Sequence, residues 1–300
     1  MAVGPRAGCC LVCGQGRLVP HFVLDNHRYY KCRHCGLIQV RPLPLIGTGD
    51  DYSALDLGKY RLFTRLFLVP QYGRALRMIR RFKPGGSLLD IGCGTGEFLG
   101  LAREAGFDAT GVEPSSTACL IAAVDNKVIA GEWRDVPIEE GAYDVITLWS
   151  VLEHIPDPFP FLDKVRGALK SNGILALRVP TSQGLLPLAA LWFYRLSGRR
   201  IKAPLRAVYQ TEWHYAHFYY YSRWGIGLLL RKCRFKIAAV RGENSFDIKS
   251  LKYRMDYLPK AFIRRAAVQS ALFLIKTASN LLGRRDEMVI IAGKQEAEFL

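Results

Sequence analysis

Long apolar runs are missing from this sequence. No apolar stretch among its 300 residues approaches the length of about 18 that a membrane-spanning helix needs. The first residues, Met1 to Gly16, lack the apolar centre of a secretion signal. There are few low-complexity stretches and no internal repeat, which argues against a disordered or repeat protein. We therefore expect a folded chain in the reducing cytoplasm.

Acidic residues are scarce outside one segment. The chain has 42 Lys and Arg against 26 Asp and Glu, a formal net charge of +16. Residues 58–84 hold eight basic residues and no acid, and residues 181–300 hold 21 basic and 8 acidic residues. Residues 85–180 hold seven basic and fourteen acidic residues. Basic flanks therefore enclose an acidic core, and they fit an anionic partner such as a membrane surface, a phosphorylated acceptor or nucleic acid.

A glycine-rich turn lies between a short apolar run and a helical pattern. Asp90 comes first, and Gly92, Gly94 and Gly96 follow at alternate positions. Glycines let the backbone approach a ligand closely, and the helix start offers unpaired N–H groups. In a dinucleotide-binding turn the third glycine would stand at Glu97, where a carboxylate repels a pyrophosphate. The spacing therefore disfavours a dinucleotide.

Further strands follow this turn. The second ends at Glu113, about 20 residues past the first glycine, where a carboxylate can accept both ribose hydroxyls of a nucleoside. The third spans 127–130, and Glu132 and Trp133 follow it. The fourth, 143–149, is almost continuously apolar, as expected for a central parallel strand.

Together these motifs resemble a known enzyme family. The acidic residue with Gly-x-Gly-x-Gly, and the later run Leu-Glu-His-Ile-Pro-Asp-Pro at 152–158, are similar to class I S-adenosylmethionine-dependent methyltransferases of small molecules. The likeness is close over 85–180 and loose afterwards. It implies an α/β fold, a doubly wound seven-stranded Rossmann-like sheet. It also implies that S-adenosylmethionine is held by Asp90, Gly92, Cys93, Gly94, Gly96, Glu113, Pro114, Glu132, Trp133 and Trp149.

The same resemblance places an acceptor beside the cofactor. His154 is the side chain in the 150–158 segment that can take a proton near neutral pH, so it is the candidate catalytic residue. Glu153 would orient it or contact the substrate. His217 and Tyr219 belong to a His-aromatic-Ser segment that lines the acceptor pocket in the resembling family. The alternative for each histidine is a structural, hydrogen-bonded role.

Two Cys-x-x-Cys pairs precede the methyltransferase-like region. Cys10 and Cys13 are separated from Cys32 and Cys35 by 18 residues, which matches a four-thiolate zinc ribbon. Such an ion is structural, because four thiolates leave no open position. Disulfides or spare thiols are the alternatives, and Cys9 or His34 could replace a neighbouring ligand.

The predicted domain division follows from these motifs. A zinc-ribbon-like module covers 1–41, a linker and helix cover 42–84, and the methyltransferase domain covers 85–300. Insertions are expected at about 181–221 and 247–283. The first contains an apolar aromatic stretch beside a cationic cluster, which fits an interfacial membrane anchor, a lid over an apolar acceptor or a core-packed insertion.

The sequence thus predicts methyl transfer to a small-molecule or lipid-linked acceptor. By analogy, the reaction is O-methylation in cell-surface sugar or lipid biosynthesis, by a cytoplasmic protein that is peripheral on the inner face of the membrane. An RNA base methyltransferase is the first alternative, although no Asn-Pro-Pro-Tyr-type motif is present, so nucleic acid is a less favoured partner. A non-catalytic membrane-associated adaptor is the second.

Overall fold

The computed structural model describes residues 9–15, 17–41, 60, 62–209, 217–245 and 262–295. Within these ranges the strands are β1 (Leu18–Leu24), β2 (His27–Cys32), β3 (Ile38–Arg41), β4 (Gly86–Ile91), β5 (Phe107–Glu113), β6 (Lys127–Ala130), β7 (Tyr143–Trp149), β8 (Leu169–Pro180), β9 (Tyr219–Tyr220), β10 (Phe235–Glu243) and β11 (Glu287–Lys294). The α-helices are α1 (Val69–Arg80), α2 (Glu97–Glu104), α3 (Ser116–Ala122), α4 (Pro158–Ala168), α5 (Leu185–Leu196), α6 (Ala203–Tyr209), α7 (Arg223–Lys232) and α8 (Phe262–Leu281).

Seven strands form the large sheet in the order β10-β11-β8-β7-β4-β5-β6. The five strands from β8 to β6 run parallel, and β11 lies antiparallel between β8 and β10. Adjacent strand residues point to opposite faces, so Leu88 packs with α1 and α2 while Leu89 packs with α4 and α7. This arrangement confirms the predicted doubly wound methyltransferase sheet.

A second sheet has the order β1-β2-β3-β9. A hairpin forms between β1 and β2, with Leu24 opposite His27 and Asp25 at a φ of 51° in the turn. Strand β9 comes from the region after α6 and pairs with β3 through Ile38–Tyr220 and Gln39–Tyr219. The N-terminal sheet therefore takes its fourth strand from the methyltransferase part of the chain.

The N-terminal sheet and the large sheet share apolar contacts. Val12 and Leu37 are fully buried in the same cluster as Phe218 and Leu229. Lys232 at the end of α7 donates a hydrogen bond to the Val12 carbonyl at 2.8 Å. The two parts are joined by burial as well as by the chain.

The helical segment before the large sheet buries a different set of residues from the one that the sequence predicts. Sequence periodicity predicts Leu62, Leu66, Val69, Leu76 and Ile79 as buried, but Leu62 and Leu66 are each 41% exposed. A π-helical turn over Thr64–Leu68 precedes α1 and buries Phe67 instead. One wider turn changes which residues face the core. A constant helical period of 3.6 residues does not predict this change.

The first predicted insertion packs on one side and is exposed on the other. In α5, Ala190, Leu191 and Tyr194 pack against the N-terminal sheet, and the Tyr194 hydroxyl donates to the Val23 carbonyl at 2.7 Å. The core-packed alternative is confirmed for this side. Trp192 and Leu196 are each 65% exposed on the other side.

The second predicted insertion contains α8, and its first part, 247–261, lies outside the described residues. Helix α8 lies against α5. Neither it nor any other helix in the described ranges combines the length and the apolar content that crossing a bilayer requires.

The shared core predicts that a cavity in the N-terminal sheet destabilises the whole chain. We expect Leu37→Ala to lower the free energy of unfolding by about 2 to 5 kcal/mol. Val23→Ala, at a position that is 51% exposed, should cost less than about 1 kcal/mol. All five tryptophans follow residue 41, so their fluorescence during urea unfolding reports the methyltransferase part. An unchanged tryptophan transition in Leu37→Ala would contradict the coupling.

Candidate active site

The glycine-rich turn lies at the carboxyl end of β4 and leads into α2. Gly92, Gly94 and Gly96 have φ values of 73°, 56° and 86°, which side chains rarely adopt. A Cβ on Gly92 would lie 2.6 Å from a methyl carbon of Val151, which follows β7. The turn therefore brings the glycine backbone against the segment that carries the predicted acceptor residues.

Asp90 is buried immediately before the turn, with 1% of its surface exposed. Its Oδ1 accepts a hydrogen bond of 2.5 Å from the Thr147 hydroxyl on neighbouring β7. Burial raises the pKa of Asp90 to about 8, the Glu113 charge adds to the rise, and the Thr147 bond opposes it. A protonated acid next to a polar turn is suited to ionise when a cationic ligand arrives.

Glu113 ends β5 and faces the same turn. Its Oε2 accepts a hydrogen bond from the Gly94 N–H at 2.8 Å, and its Oε1 accepts one from the Ser115 N–H at 3.0 Å. Ser115 in turn caps α3 by accepting from the Ala118 N–H. The carboxylate is therefore fixed in direction by the turn and by the start of α3. Pro114 beside it is exposed.

Trp149 ends β7 in an aromatic cluster. Its ring lies 4.9 Å from Phe98 of α2 and 5.9 Å from Tyr72 of α1, between ring centroids. Its indole N–H is buried and has no hydrogen-bond partner among the described residues. Cys93 is also buried, with its sulfur against Gly111 of β5. These two predicted cofactor residues thus lie at the ends of adjacent central strands.

Glu132 and Trp133, the two predicted cofactor residues after β6, are placed differently from each other. Glu132 is exposed in the loop after β6. Trp133 is half-buried, with its ring packed edge-on against Phe161 of α4 at 4.7 Å and the Arg134 guanidinium 5.2 Å from the ring centroid. Cofactor binding by Glu132 and Trp133 stays a prediction. The Trp133 ring packs against α4.

The predicted acceptor residues come together from separate parts of the chain. Glu153 and His154 lie in a short helical turn after β7, and the Phe218 N–H donates to the Glu153 carbonyl at 2.8 Å. This bond places His217 beside His154, with ring centroids 4.6 Å apart. Burial raises the pKa of Glu153 to about 8 and lowers the pKa of His217 well below its usual value.

Tyr219 lies near this group, as a residue of the N-terminal sheet. It is 2% exposed in β9, and its hydroxyl donates to the Pro156 carbonyl at 2.6 Å. Its observed contacts hold the 150–158 segment, while its predicted contact with substrate stays a prediction.

The four predicted metal ligands form one buried group. The Cys10 and Cys35 sulfurs are 3.5 Å apart, and the Cys13 and Cys32 sulfurs are 3.6 Å apart. None of the eight cysteines, all of which lie in the described ranges, forms a disulfide in this structure. Zn–S bonds of about 2.3 Å in a tetrahedron separate sulfurs by about 3.8 Å, so the spacing fits a zinc ion. Neither Cys9 nor His34 belongs to the group.

Sequence reasoning missed three residues at the site. Thr147 and Arg178 are polar residues within apolar strands, and this interruption is the signal that could have identified them. Arg178 donates to Gln71 Oε1 at 2.7 Å and lies over the Tyr72 ring at 5.6 Å. Ser150 has a φ of 58°, a strained conformation directly before the acceptor segment that the sequence does not reveal.

Comparison with known proteins bears on this geometry. A methyltransferase domain family model matches residues 65–239, more than half of the chain. The chain belongs to this methyltransferase family. The predicted class I S-adenosylmethionine-dependent enzyme is thereby confirmed at the level of the family.

Curated relatives resemble one part of this methyltransferase. The ubiquinone biosynthesis O-methyltransferase of Bordetella avium is 33% identical over 97 residues, which are 30% of this chain and 40% of the relative. That of Acinetobacter baylyi is 30% identical over 98 residues, 30% of this chain and 41% of the relative. The match therefore spans about two fifths of the relatives' length.

Solved structures share the fold over a longer range. A chain from the complex of the Haloferax volcanii Trm112 methyltransferase activator superimposes with a TM-score of 0.57 and 14% identity, covering 84% of this methyltransferase and all of that chain. A Pyrococcus horikoshii protein gives a TM-score of 0.50 at 17% identity, covering 83% of this chain and 100% of its own. At these identities the likeness shows the fold alone.

The buried Asp90 predicts a pH dependence of stability without ligand. Between about pH 4, its ordinary pKa, and pH 8, the folded chain keeps a proton that the unfolded chain has lost. The free energy of unfolding therefore falls as pH rises through this window. Asp90→Asn keeps an acceptor for Thr147 and removes the titration, so its Tm should decline less from pH 5 to 8. Exposed Glu104→Gln serves as the control, and equal slopes in wild type and Asp90→Asn would contradict this prediction.

Proposed function

We propose that this methyltransferase transfers the methyl group of S-adenosylmethionine to an oxygen of a small-molecule or lipid-linked acceptor. The observation that carries the proposal is the contact of Gly92 with Val151. This contact brings the glycine-rich turn, with Asp90 and Glu113 beside it, against the segment that carries Glu153 and His154. One end of the sheet thus offers a nucleoside site and a second polar group within one crevice.

The chain's own residues would hold the donor in a fixed direction. Glu113 would accept the ribose hydroxyls, because two backbone N–H groups already orient its carboxylate. Asp90 and the glycine backbone would face the methionine end. When bound, the sulfonium supplies a methyl carbon that an oxygen lone pair can attack directly. In-line alignment of the two reactants supplies much of the catalysis in such a displacement.

The acceptor would lie towards Glu153, His154 and His217. An attacking hydroxyl must lose its proton, and the sequence predicts His154 as the group that accepts it. Its position beside His217 is compatible with that role. Relatives named as O-methyltransferases of ubiquinone biosynthesis support an oxygen acceptor, although they match only over 97 to 98 residues. The cell-surface sugar or lipid setting rests on resemblance.

A lipid-linked acceptor is supported by the exposed sides of α5 and α8. Large apolar side chains project there from both contacting helices; the most exposed are Trp192, Phe193, Leu196, Phe273, Leu274 and Leu281. Arg199, Arg200 and Arg284 are exposed close to the ends of the same helices. Aromatic and cationic residues on one surface suit the interface of an anionic bilayer.

The four-cysteine group is proposed to hold a structural zinc ion that stabilises the N-terminal sheet.

Binding of S-adenosylhomocysteine, measured by calorimetry on the full chain, tests the cofactor site. We expect Glu113→Ala to weaken binding on the order of tenfold or more, because the charged hydrogen bonds to the ribose are lost. Glu104→Ala, at an exposed acid of α2, should bind like wild type. The proposal fails if wild type binds no S-adenosylhomocysteine or binds NAD more tightly.

Sedimentation with vesicles of phosphatidylglycerol and phosphatidylcholine tests the membrane-facing surface. We expect Trp192→Ser with Phe273→Ser to reduce partitioning on the order of tenfold or more, because two aromatic side chains no longer enter the bilayer. The matched control is Leu120→Ser with Val124→Ser, which are 75% and 77% exposed near β6 at the far edge of the sheet. Equal loss in both pairs, or salt-sensitive binding to RNA but not to vesicles, would overturn the lipid proposal.

A further inference from the structure

The acceptor side contains three metal-ligating side chains. One carboxylate oxygen of Glu153 and one imidazole nitrogen from each of His154 and His217 all lie within 4.8 Å of one another. Glu153 is 1% exposed and His217 is 7% exposed. The three residues come from two separate segments, so chain proximity alone does not explain the cluster.

Within the described residues, several buried polar atoms of this cluster have no hydrogen-bond partner. Neither carboxylate oxygen of Glu153 has a partner there, and neither does Nδ1 of His217. The nearby cation, Arg178, donates instead to Gln71 and has Nε 4.0 Å from Glu287. A buried carboxyl group without a partner is costly, and a bound cation would remove that cost.

We propose that Glu153, His154 and His217 bind one divalent transition-metal ion. Two imidazole nitrogens and one carboxylate oxygen suit Zn²⁺, Mn²⁺ or Fe²⁺ and leave coordination positions open. Metal–ligand bonds of about 2.1 Å require donor atoms about 3.0 to 3.4 Å apart, so a bound ion would hold the three donors within the observed limit of 4.8 Å. The four-cysteine group differs, because four thiolates close the coordination shell.

The catalytic role of this ion rests on the proposed function. An ion with open positions would bind the acceptor hydroxyl and lower its pKa, so that the hydroxyl proton passes to water. The oxygen lone pair then forms the bond to the methyl carbon, and the carbon–sulfur pair stays on sulfur. With the ion bound, His154 would act as a ligand, and water would replace it in the proton-acceptor role that the sequence predicts.

Mn²⁺ titration of the full chain, loaded with one equivalent of zinc that the four thiolates take up, tests the site. Thiolate groups disfavour Mn²⁺, so its binding reports a nitrogen and oxygen site and not the cysteine group. Loss of the free-ion electron paramagnetic resonance signal should show one Mn²⁺ per chain, and pulsed spectra should show ¹⁴N coupling from imidazole. We expect Glu153→Gln and His217→Gln each to weaken binding by about tenfold or more, and Glu104→Gln to leave it unchanged.

The outcomes separate the metal site from the proposed function. Absence of a ¹⁴N-coupled Mn²⁺ in wild type, or equal affinity in all four chains, overturns the metal site. If a substitution prevents folding, as judged by circular dichroism, the wild-type ¹⁴N coupling decides. S-adenosylhomocysteine binding is measured on the same samples. Its absence, with Mn²⁺ bound, refutes methyl transfer and leaves the metal site in place.

Discussion

The pairing of β3 with β9 is the contact on which the acceptor side depends. A two-residue strand has too few hydrogen bonds to persist alone, so β9 keeps its place by adding to the N-terminal sheet. The same segment donates from the Phe218 N–H to Glu153 and pairs Tyr221 with Thr181 beyond β8. His217 therefore reaches His154 because two sheets hold the residues that follow it. Formation of the N-terminal sheet and assembly of the acceptor group are one structural event.

The site also retains buried acids that stability alone would not favour. Asp90 and Glu153 are each 1% exposed, and burial raises the pKa of both to about 8. The Asp90 carboxyl has one strong partner in Thr147, whereas the Glu153 carboxylate oxygens have none among the described residues. Apolar residues of similar size at these positions would avoid the desolvation cost. Their presence at adjacent strand ends is explained if each faces a cationic ligand, one at the donor side and one at the acceptor side.

The donor side could be predicted from sequence because its signals are local. Asp90 and the glycines occupy seven consecutive residues, and Glu113 follows one strand later, so strand periodicity and turn chemistry were sufficient. The Cys-x-x-Cys pairs are local in the same sense. The strands predicted at 127–130 and 143–149 coincide with β6 and β7, and the strand predicted to end at Glu113 is β5. The prediction that Leu62 and Leu66 are buried was wrong, because a π-helical turn has no clear sequence signal.

The acceptor side could not be predicted to the same depth because it depends on contacts between distant segments. Sequence alone identified Glu153, His154 and His217 separately, but it could not show that a hydrogen bond from Phe218 brings them together. It also could not show that Tyr219 belongs to the N-terminal sheet, since that placement follows from its pairing with Gln39. The family model ends at residue 239, so α8 and β11 lie beyond it. Under the proposed function, a short motif would set donor binding, and the packing of the N-terminal sheet and the insertions would set acceptor choice. Acceptor choice could then change while donor binding is kept.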